Sequence, residues 1–354
     1  MKQAAPAWSS SARRMARISV LLLAALAPVL RADDVPMEGN LYRPFTDVAA
    51  LYGMKISWAT PGQTLQAQNQ FCTLEATVSE RIVRLNHEPM ALGFPIIARG
   101  GMLYLAKSDF DNNLFPLLSP GQIPSAVPAL HRIVIDPGHG GQDTGTTSDA
   151  LKTNEKTNTL DTGLRLAEEL RKRGYEVILT RTKDVYVELP ERTAIANKAK
   201  ADLYISIHFN HADQDYVSGV ETWILPPPGQ PFTNESRLTE SDKRALPGNR
   251  FDAWNAIAGF SLERAVAREL GAVNRGLKRE HLKVLDNLTM PGLLIECGFL
   301  SNPAEGLKIL SPDYHQKIAL AVADGVDLYK TTLDRLRPKP LTPPTAPAAT
   351  STKK

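Results

Sequence analysis

After residue 131, short runs of β-branched and aliphatic residues alternate with longer stretches of helical periodicity. The short runs are bounded by turn-forming residues and predict strands at residues 132–136, 176–180, 203–208, 220–225, 283–285 and 292–297. Strands that alternate with helices in this way pack as layers, because each element must bury its apolar side against another. The second part of the chain is therefore predicted to have an α/β fold.

The helices between these strands are predicted from apolar spacing and from their end signals. In the first, apolar residues recur at helical spacing up to Gly174, which suits a helix end: Leu160, Leu164, Ala167 and Leu170. Pro190 would begin a second helix, and residues 255–270 and 313–329 form two more. Asn302, followed by a proline and an acid, is the expected cap of another.

Residues 40–118 have a different pattern, which predicts a small α+β domain. A helix is expected at residues 45–52, and short alternating runs follow at 76–78, 82–85 and 103–105. Gly100 and Gly101 predict a hairpin turn. The proline-rich residues 119–130 predict a linker to a larger domain at 131–330, and 354 residues suit about two domains.

The first 32 residues have the pattern of a secretory signal peptide. Basic residues precede an apolar run at 18–30, and the small residue Ala32 follows. That run is shorter than the roughly 20 residues of a membrane-spanning helix, so an uncleaved anchor is the weaker alternative. Met1 and Met15 are both possible starts. We expect export, to the periplasm or outside the cell, and no membrane span in the mature chain.

Loss of that leader changes the charge balance of the chain. The full sequence has 41 Lys and Arg against 38 Asp and Glu, and the leader holds five of the bases and none of the acids. The mature chain, at about −2, lacks the basic excess that nucleic-acid binding requires. Cys72 and Cys297 are far apart in sequence and predict no disulfide framework, and Cys297 is expected to pack in the core.

Two segments depart from the domain pattern. Residues 226–250 are rich in proline, serine, threonine and charge, and they are too long for an ordinary connection. This predicts either a functional flap or a disordered insertion. Residues 331–354 contain many prolines, threonines and alanines and predict a flexible tail.

The motif IDPGHGG at residues 135–141 runs a predicted strand into a glycine-rich turn that presents His139. A phosphate-binding loop is the alternative, but the Lys-Ser/Thr pair of such loops is missing and Asp143 follows. Glu155 lies at the start of the next predicted helix, where the helix dipole alone favours an acid. Helix starts and strand ends share one edge of an α/β sheet, which puts Glu155 within reach of His139.

His208 ends the strand in YISIHFN, on the same side as Tyr204 and Ser206. A buried imidazole needs partners for its ring nitrogens, so His208 is either a core residue or a ligand, and His211 is an alternative ligand. Glu296 lies in the apolar run GLLIECGF. Desolvation should raise its pKa unless a cation lies near, which suits a general base, although a paired structural carboxylate is the alternative.

His139, Glu155 and His208 together would leave one tetrahedral position of a zinc ion to water, which is the layout of catalytic zinc. We therefore expect one catalytic Zn²⁺, with Glu296 as the general base that later passes the proton to the leaving nitrogen. The helical HExxH motif is absent. The ligands must therefore come from separate strand ends.

These motifs resemble those of the zinc-dependent N-acetylmuramoyl-L-alanine amidases, which act on bacterial peptidoglycan. The resemblance covers about residues 131–330 and rests on IDPGHGGQDTG, the glutamate of NEKTNTL, ADLYISIHFN and LLIECGFLSNPAE, in that order. It implies His139, Glu155 and His208 as zinc ligands, Glu296 as the catalytic residue, and a mixed, mostly parallel sheet with helices on both faces. The implied reaction cleaves the amide between N-acetylmuramic acid and L-alanine, in peptidoglycan or muropeptides.

Weaker resemblances concern the rest of the chain. NRFDAWNA and LKREHLKVL imply substrate contacts by Arg250, Asn255 and Arg279. Residues 226–250 have too many prolines for the inhibitory helix of some family members, and we expect a mobile flap over the substrate groove. Residues 40–118 loosely resemble a module found in the N-terminal part of bacterial copper amine oxidases, with wall or protein docking as the expected use. His87 and Cys72 are too few for a copper site.

Two other functions are compatible with these residues. A zinc peptidase that cuts within the peptidoglycan stem peptide would use the same four side chains. A wall-binding protein without catalytic activity is the third possibility, and the presence of all four polar residues argues against it.

Overall fold

The computed structural model describes residues 34–235 and 237–337. The predicted signal peptide and the predicted tail from residue 338 onward lie outside these residues. Within the described ranges, no helix combines the length and the apolarity that crossing a membrane requires.

The N-terminal part consists mainly of short antiparallel strands. Its elements are β1 (Val35–Met37), β2 (Asn40–Pro44), α1 (Phe45–Leu51), β3 (Lys55–Thr60), β4 (Thr64–Gln68), β5 (Thr73–Thr77), β6 (Ile82–Leu85), β7 (Glu88–Ala91), β8 (Ile97–Arg99), β9 (Met102–Ala106), α2 (Lys107–Asp109) and α3 (Phe115–Leu118). The predicted hairpin is present: β8 pairs antiparallel with β9, and Gly100 and Gly101 form the turn with left-handed φ angles of 59° and 77°.

The C-terminal part alternates strands and helices. Its elements are β10 (Arg132–Pro137), β11 (Thr147–Ser148), β12 (Thr153–Asn154), α4 (Glu155–Lys172), β13 (Glu176–Leu179), α5 (Leu189–Lys198), β14 (Leu203–Asn210), β15 (Val220–Ile224), α6 (Asp252–Leu270), β16 (Asn274–Arg279), α7 (Lys283–Asp286), β17 (Gly292–Phe299), α8 (Pro303–Ile309) and α9 (Pro312–Leu336). The predicted cap is present, since Asn302 Oδ1 accepts a hydrogen bond from Glu305 N at 2.9 Å.

One sheet of eleven strands runs through both parts, in the order β13-β10-β14-β17-β15-β16-β7-β6-β5-β4-β3. The four strands from β13 to β17 are parallel, β15 is antiparallel to β17, and β16 is parallel to β15. The two parts join where Leu277 of β16 pairs with Met90 of β7. The residues predicted as a small separate domain therefore continue the sheet of the larger part.

Helices cover both faces of the C-terminal sheet, which confirms the expected fold class. Ile133 and Ile135 of β10 pack in one apolar cluster with residues of α4, α6 and α9. Val134, between them, packs on the other face in a cluster with residues of α5 and α7. Cys297 is fully buried on the first face, and both cysteines are free thiols, as expected.

Two predicted elements were wrong. Residues 283–285, predicted as a strand, form the short helix α7, and the strand at this point of the chain is β16. Its sequence, NRGLKR, has little alternation of apolar and polar residues, and the sheet imposes the extended conformation. Residues 331–336, predicted as flexible tail, belong to α9, where Leu333 packs in the core.

The two ends of the sheet are distinct. β10, β14 and β17 end at one edge of the sheet, and β15 and β16 begin there. We call this the His139 edge. Arg275, near the start of β16, lies at this edge. β15 and β16 end at the opposite edge, which we call the Arg279 edge. Residues 226–250 follow β15 and therefore leave from the Arg279 edge.

This position contradicts the hypothesis of a flap over the substrate groove. Residues 230–235 of the segment contact the N-terminal part, and Leu246 packs against the C-terminal part. Arg81 Nη2 donates to the Phe232 carbonyl at 2.9 Å, and Gln230 Nε2 donates to Asp109 Oδ1 at 3.1 Å. The segment fills the junction between the two parts of the chain.

Candidate active site

His139 lies two residues after the end of β10, in a backbone conformation that is rare for residues other than glycine. Its φ is 61°, in the left-handed region. Two buried arginines hold the loop in this shape: Arg192 donates to the His139 carbonyl and to Asp136 Oδ1, each at 2.8 Å, and Arg181 donates to the Gly138 carbonyl at 2.8 Å. These contacts fix the backbone that presents the imidazole.

Glu155 is the first residue of α4, and its buried carboxylate lies between two imidazoles. Oε1 is 2.8 Å from His208 Nδ1, and Oε2 is 3.1 Å from His139 Nε2. The backbone N–H groups of Phe209 and Thr146 donate to the same two oxygens, at 3.0 and 2.9 Å. Burial alone would raise the pKa of Glu155, but the hydrogen bonds and charges of the two histidines hold it well below its ordinary value.

The three side chains can share one ion. His139, Glu155 and His208 each offer a ligand atom, and these atoms lie within 4.8 Å of one another. The two rings are 4.9 Å apart between centroids and nearly perpendicular, at 77°. The sequence separates these residues by up to 69 positions, and the parallel pairing of β10 with β14 brings them together.

Two glycines make room for this cluster. A Cβ on Gly138 would lie 2.3 Å from the His208 ring, and one on Gly145 would lie 2.5 Å from the His139 ring and 2.6 Å from Glu155 Oε2. On the other side of the His139 ring, Asp143 Oδ2 is 2.9 Å from Nδ1, which orients the imidazole.

Glu296 lies on β17 directly opposite His208 of β14. Its Oε2 is buried and has no hydrogen-bond partner among the described residues. Burial raises the pKa of Glu296 well above its ordinary value, the charges of Glu155 and Glu221 raise it further, and Lys278 opposes them. A carboxyl group of this kind favours a bound proton and suits proton transfer.

A second glutamate lies next to Glu296 on the same face of the sheet. Glu221 of β15 is the cross-strand partner of Glu296, and it is 3% exposed. Its Oε1 accepts from Asn210 Nδ2 at 2.7 Å, and its Oε2 accepts from Arg275 Nε at 2.8 Å and from Lys278 Nζ at 2.5 Å. A polar row therefore crosses four neighbouring strands at the His139 edge, from His208 to the two cations of β16.

The residues expected to contact substrate through the weaker resemblance lie elsewhere. Arg250 is exposed and is the last residue of the 226–250 segment. Asn255 is buried and accepts from the N–H of Gly292, at the start of β17. Arg279 is buried at the junction with the N-terminal part. All three belong to the Arg279 edge, so the expectation is not supported, and the alternative ligand His211 is exposed and outside the cluster.

The sequence interpretation missed several polar residues that surround the cluster. Glu221 could have been found, because the strand 220–225 alternates and puts Glu221 on one face with Trp223. Asp143, four residues after His139, also carried a signal as a nearby carboxylate. Arg192 lies in a stretch that resembles an ordinary helix surface, and nothing in that stretch indicates a buried guanidinium.

Comparison with known proteins identifies relatives of this chain. Residues 133–327, more than half of the chain, match the sequence profile of the N-acetylmuramoyl-L-alanine amidases. The germination-specific N-acetylmuramoyl-L-alanine amidase of Bacillus subtilis (strain 168) is 30% identical over 256 residues, which are 68% of this chain and 92% of that protein. The amidase AmiC of Escherichia coli O6:H1 is 29% identical over 247 residues, which are 63% of this chain and 58% of that protein.

One similar solved structure is the N-acetylmuramoyl-L-alanine amidase from Clostridium difficile 630, which is 29% identical to this chain. The matched region covers 57% of this chain and 98% of that chain, with a TM-score of 0.48. Fold and site together define an α/β protein with a candidate metal centre at the strand ends. The family match is more specific. The chain belongs to the N-acetylmuramoyl-L-alanine amidase family.

Proposed function

We propose that this protein is a zinc-dependent amidase that hydrolyses the bond between N-acetylmuramic acid and L-alanine in peptidoglycan. Membership of the family supports the reaction. The observation that carries the metal dependence is the convergence of ligand atoms from His139, Glu155 and His208 within 4.8 Å. Peptidoglycan or muropeptides are the proposed substrates.

The donor set fits zinc better than the other common divalent ions. Two imidazoles and one carboxylate are the ligands of several catalytic zinc sites, whereas Mg²⁺ and Ca²⁺ prefer oxygen ligands alone. Gly138 and Gly145 allow the two rings and Glu155 to approach one another, since a Cβ at either position would lie within 2.6 Å of them. When bound, zinc would supply Lewis-acid chemistry that polarises a carbonyl and acidifies water.

Glu296 is the proposed general base. It lies on the strand next to His208, and its buried Oε2 has no partner within the described part of the chain, so it is available to a proton from substrate or water. The raised pKa of its carboxyl group suits an acid that later returns the proton to the leaving nitrogen. Asp143 and Arg192 are positioning residues in this scheme, because they act through His139.

Export places the enzyme where its substrate is. We propose a periplasmic location, with release outside the cell as the alternative, on the basis of the leader pattern in residues 1–32. The N-terminal part, with its loose resemblance to the copper amine oxidase module, is proposed to contribute to wall or protein docking. Its fusion to the catalytic sheet at Leu277 and Met90 implies that it docks together with the active site as one body.

Digestion of purified sacculi tests the function. The wild type should release peptides with a free N-terminal L-alanine, identified by mass analysis. Glu296→Gln should lower the rate by about 10²–10⁴-fold, the usual contribution of general acid–base catalysis, and should keep its zinc. Glu263→Gln is the matched control: Glu263 is a second buried glutamate, and it contacts Thr222 and Gly276 rather than the cluster, so activity should remain.

Other products would point to the other functions. Peptides cut within the stem would indicate a zinc peptidase. Intact sacculi with zinc-loaded protein would indicate a binding protein. If Glu296→Gln lost its zinc, the assignment of base and ligands would be wrong.

A further inference from the structure

Arg275 lies at the start of β16, at the end of the polar row that begins at His208. Its Nε donates to Glu221, and its guanidinium lies 5.1 Å from the centroid of the Phe299 ring. No hydrogen bond occupies its two terminal nitrogens within residues 34–235 and 237–337, and one third of the side chain is exposed. The guanidinium is therefore held on one side and open to solvent on the other.

Arg275 and Lys278 share one salt-bridge partner. Among the described residues, Glu221 is the one carboxylate within salt-bridge distance of both cations. Lys278 Nζ also lies 5.0 Å from the centroid of the Trp223 ring, which keeps it beside Glu221. The two terminal nitrogens of Arg275 remain for a ligand, and a fixed guanidinium fork is the group that matches a carboxylate with two hydrogen bonds.

The position of Arg275 relative to Glu296 sets which part of a substrate it can reach. Glu221 is one strand away from Glu296, and Arg275 is on the following strand, so its guanidinium lies roughly 5–10 Å from Glu296 at the usual strand spacing. Two residues of extended peptide span about 7 Å. A substrate cut beside Glu296 would therefore bring the residue after L-alanine to Arg275.

We propose that Arg275, supported by Glu221 and Lys278, binds the α-carboxylate of the residue that follows L-alanine in the stem peptide. This proposal rests on the function proposed above and adds a specificity-determining residue to it. The substrate class is then a muropeptide with a free carboxylate at that position. The α-amide of the same residue lacks the charge and one acceptor, so it should bind more weakly.

Binding to a catalytically inactive protein tests the proposal directly. Two muramyl tripeptides serve as probes, N-acetylmuramoyl-L-Ala-γ-D-Glu-L-Lys and its α-amide, titrated by calorimetry into zinc-loaded Glu296→Gln. The acid should bind about tenfold more tightly than the amide, as expected for a hydrogen-bonded charge pair that is partly exposed. Adding Arg275→Gln should bring the ratio of the two dissociation constants to about 1.

Arg264→Gln is the matched control. Arg264 is exposed to a similar degree and pairs with Glu88, but it does not contact the polar row. Its replacement by glutamine removes the same charge as the replacement of Arg275. The tenfold preference should survive in this variant. Loss of the preference in both variants, or an equal affinity for acid and amide before Arg275 is changed, would overturn the proposal.

Hydrolysis of the same two probes by the protein with Glu296 intact separates this proposal from the proposed function. The ratio of kcat/KM for acid and amide should also be about ten and should fall to about 1 in Arg275→Gln. Hydrolysis of both probes at equal rates, with equal affinities, refutes the carboxylate subsite and leaves the amidase function intact. Absence of hydrolysis, with the binding preference retained, refutes the amidase function and leaves the subsite intact.

Discussion

Arg275 and Arg279 lie at the two ends of one strand, β16, and show what distinguishes the two edges of the sheet. Arg279 is 3% exposed, and its three donor nitrogens each reach an acceptor: Asn113 Oδ1, the Leu225 carbonyl and the Asn112 carbonyl, all at 2.8 Å. Arg275 uses only Nε in the part of the chain that the structure describes. The first arginine is saturated by the protein, and the second retains donors for a ligand.

The same difference separates two buried glutamates. Glu263, on the face of the sheet covered by α6, has both oxygens occupied, by Thr222 Oγ1 at 2.7 Å and by Gly276 N at 3.2 Å. Glu296 has a buried oxygen without a partner among the described residues. Burial therefore does not identify a functional residue in this fold. Glu296 is distinguished by two features together: its buried oxygen lacks a protein partner, which costs free energy, and it lies beside the metal-ligand cluster.

The largest expected effect is the loss of the metal at the His139 edge. His139→Ala removes one of three protein ligands, so zinc content should fall and hydrolysis should drop by at least about 10³-fold. Elemental analysis and digestion of sacculi measure the two effects. His211→Ala is the control, because His211 is an exposed histidine just after β14. If His211→Ala lost zinc instead, the ligand assignment would be wrong.

The next effect concerns stability at the Arg279 edge. Arg279→Gln leaves Asn113 and two carbonyls short of donors and removes the positive charge near the buried Asp109 and Asp252, so the free energy of unfolding should fall by about 3 kcal/mol. Arg275→Gln, four residues away, should cost less, about 1 kcal/mol, because Glu221 keeps Lys278 and Asn210 as partners. Urea denaturation of both variants measures the difference. Equal losses would mean that the two arginines have the same structural role.

These contrasts explain which parts of the site the sequence could predict. His139 follows a predicted strand, Glu155 begins a predicted helix, and His208 and Glu296 lie near the ends of predicted strands. The rule that such ends share one edge, together with the family resemblance, grouped them. Arg279 was assigned to the substrate because sequence resemblance does not report direction along a strand. β16 itself was not predicted, so the edge on which Arg279 lies could not be known.

The N-terminal part shows a second limit of the sequence. Its helix, strands and glycine hairpin follow from local patterns. Its connection to the catalytic part does not, since it depends on a single pairing between Leu277 and Met90 and on side chains such as Arg81, which reaches a carbonyl 151 residues away. Long-range pairing leaves no periodic signal in one sequence.

A smaller effect is expected from filling the space beside the metal cluster. Gly145→Ala places a Cβ against His139 and Glu155 at a left-handed φ of 62°, so zinc affinity should fall by about 10–100-fold. Gly62→Ala is the control, because Gly62 also has a left-handed φ, 72°, but no atom within 4 Å of the new Cβ. It should lose about 1 kcal/mol of stability and keep its zinc affinity. A competition titration with a zinc chelator measures the affinities, and an equal loss in both variants would show that backbone strain alone disturbs the site.

The effect that is smallest per pH unit tests whether an occupied glutamate stays neutral. Burial raises the pKa of Glu263 to about 8, above the ordinary value of 4.5. Between these values the folded protein holds a proton that the unfolded chain releases, so this group lowers the free energy of unfolding as the pH rises from about 5 to 8, by about 1 kcal/mol per pH unit. Glu263→Gln should remove this slope, because the amide can accept from Gly276 and donate to Thr222. Urea denaturation across this pH range measures the free energy of unfolding of the wild type minus that of the variant. A difference that does not change with pH would mean that Glu263 is ionised when buried, and the contrast with Glu296 would then lie in its partners alone.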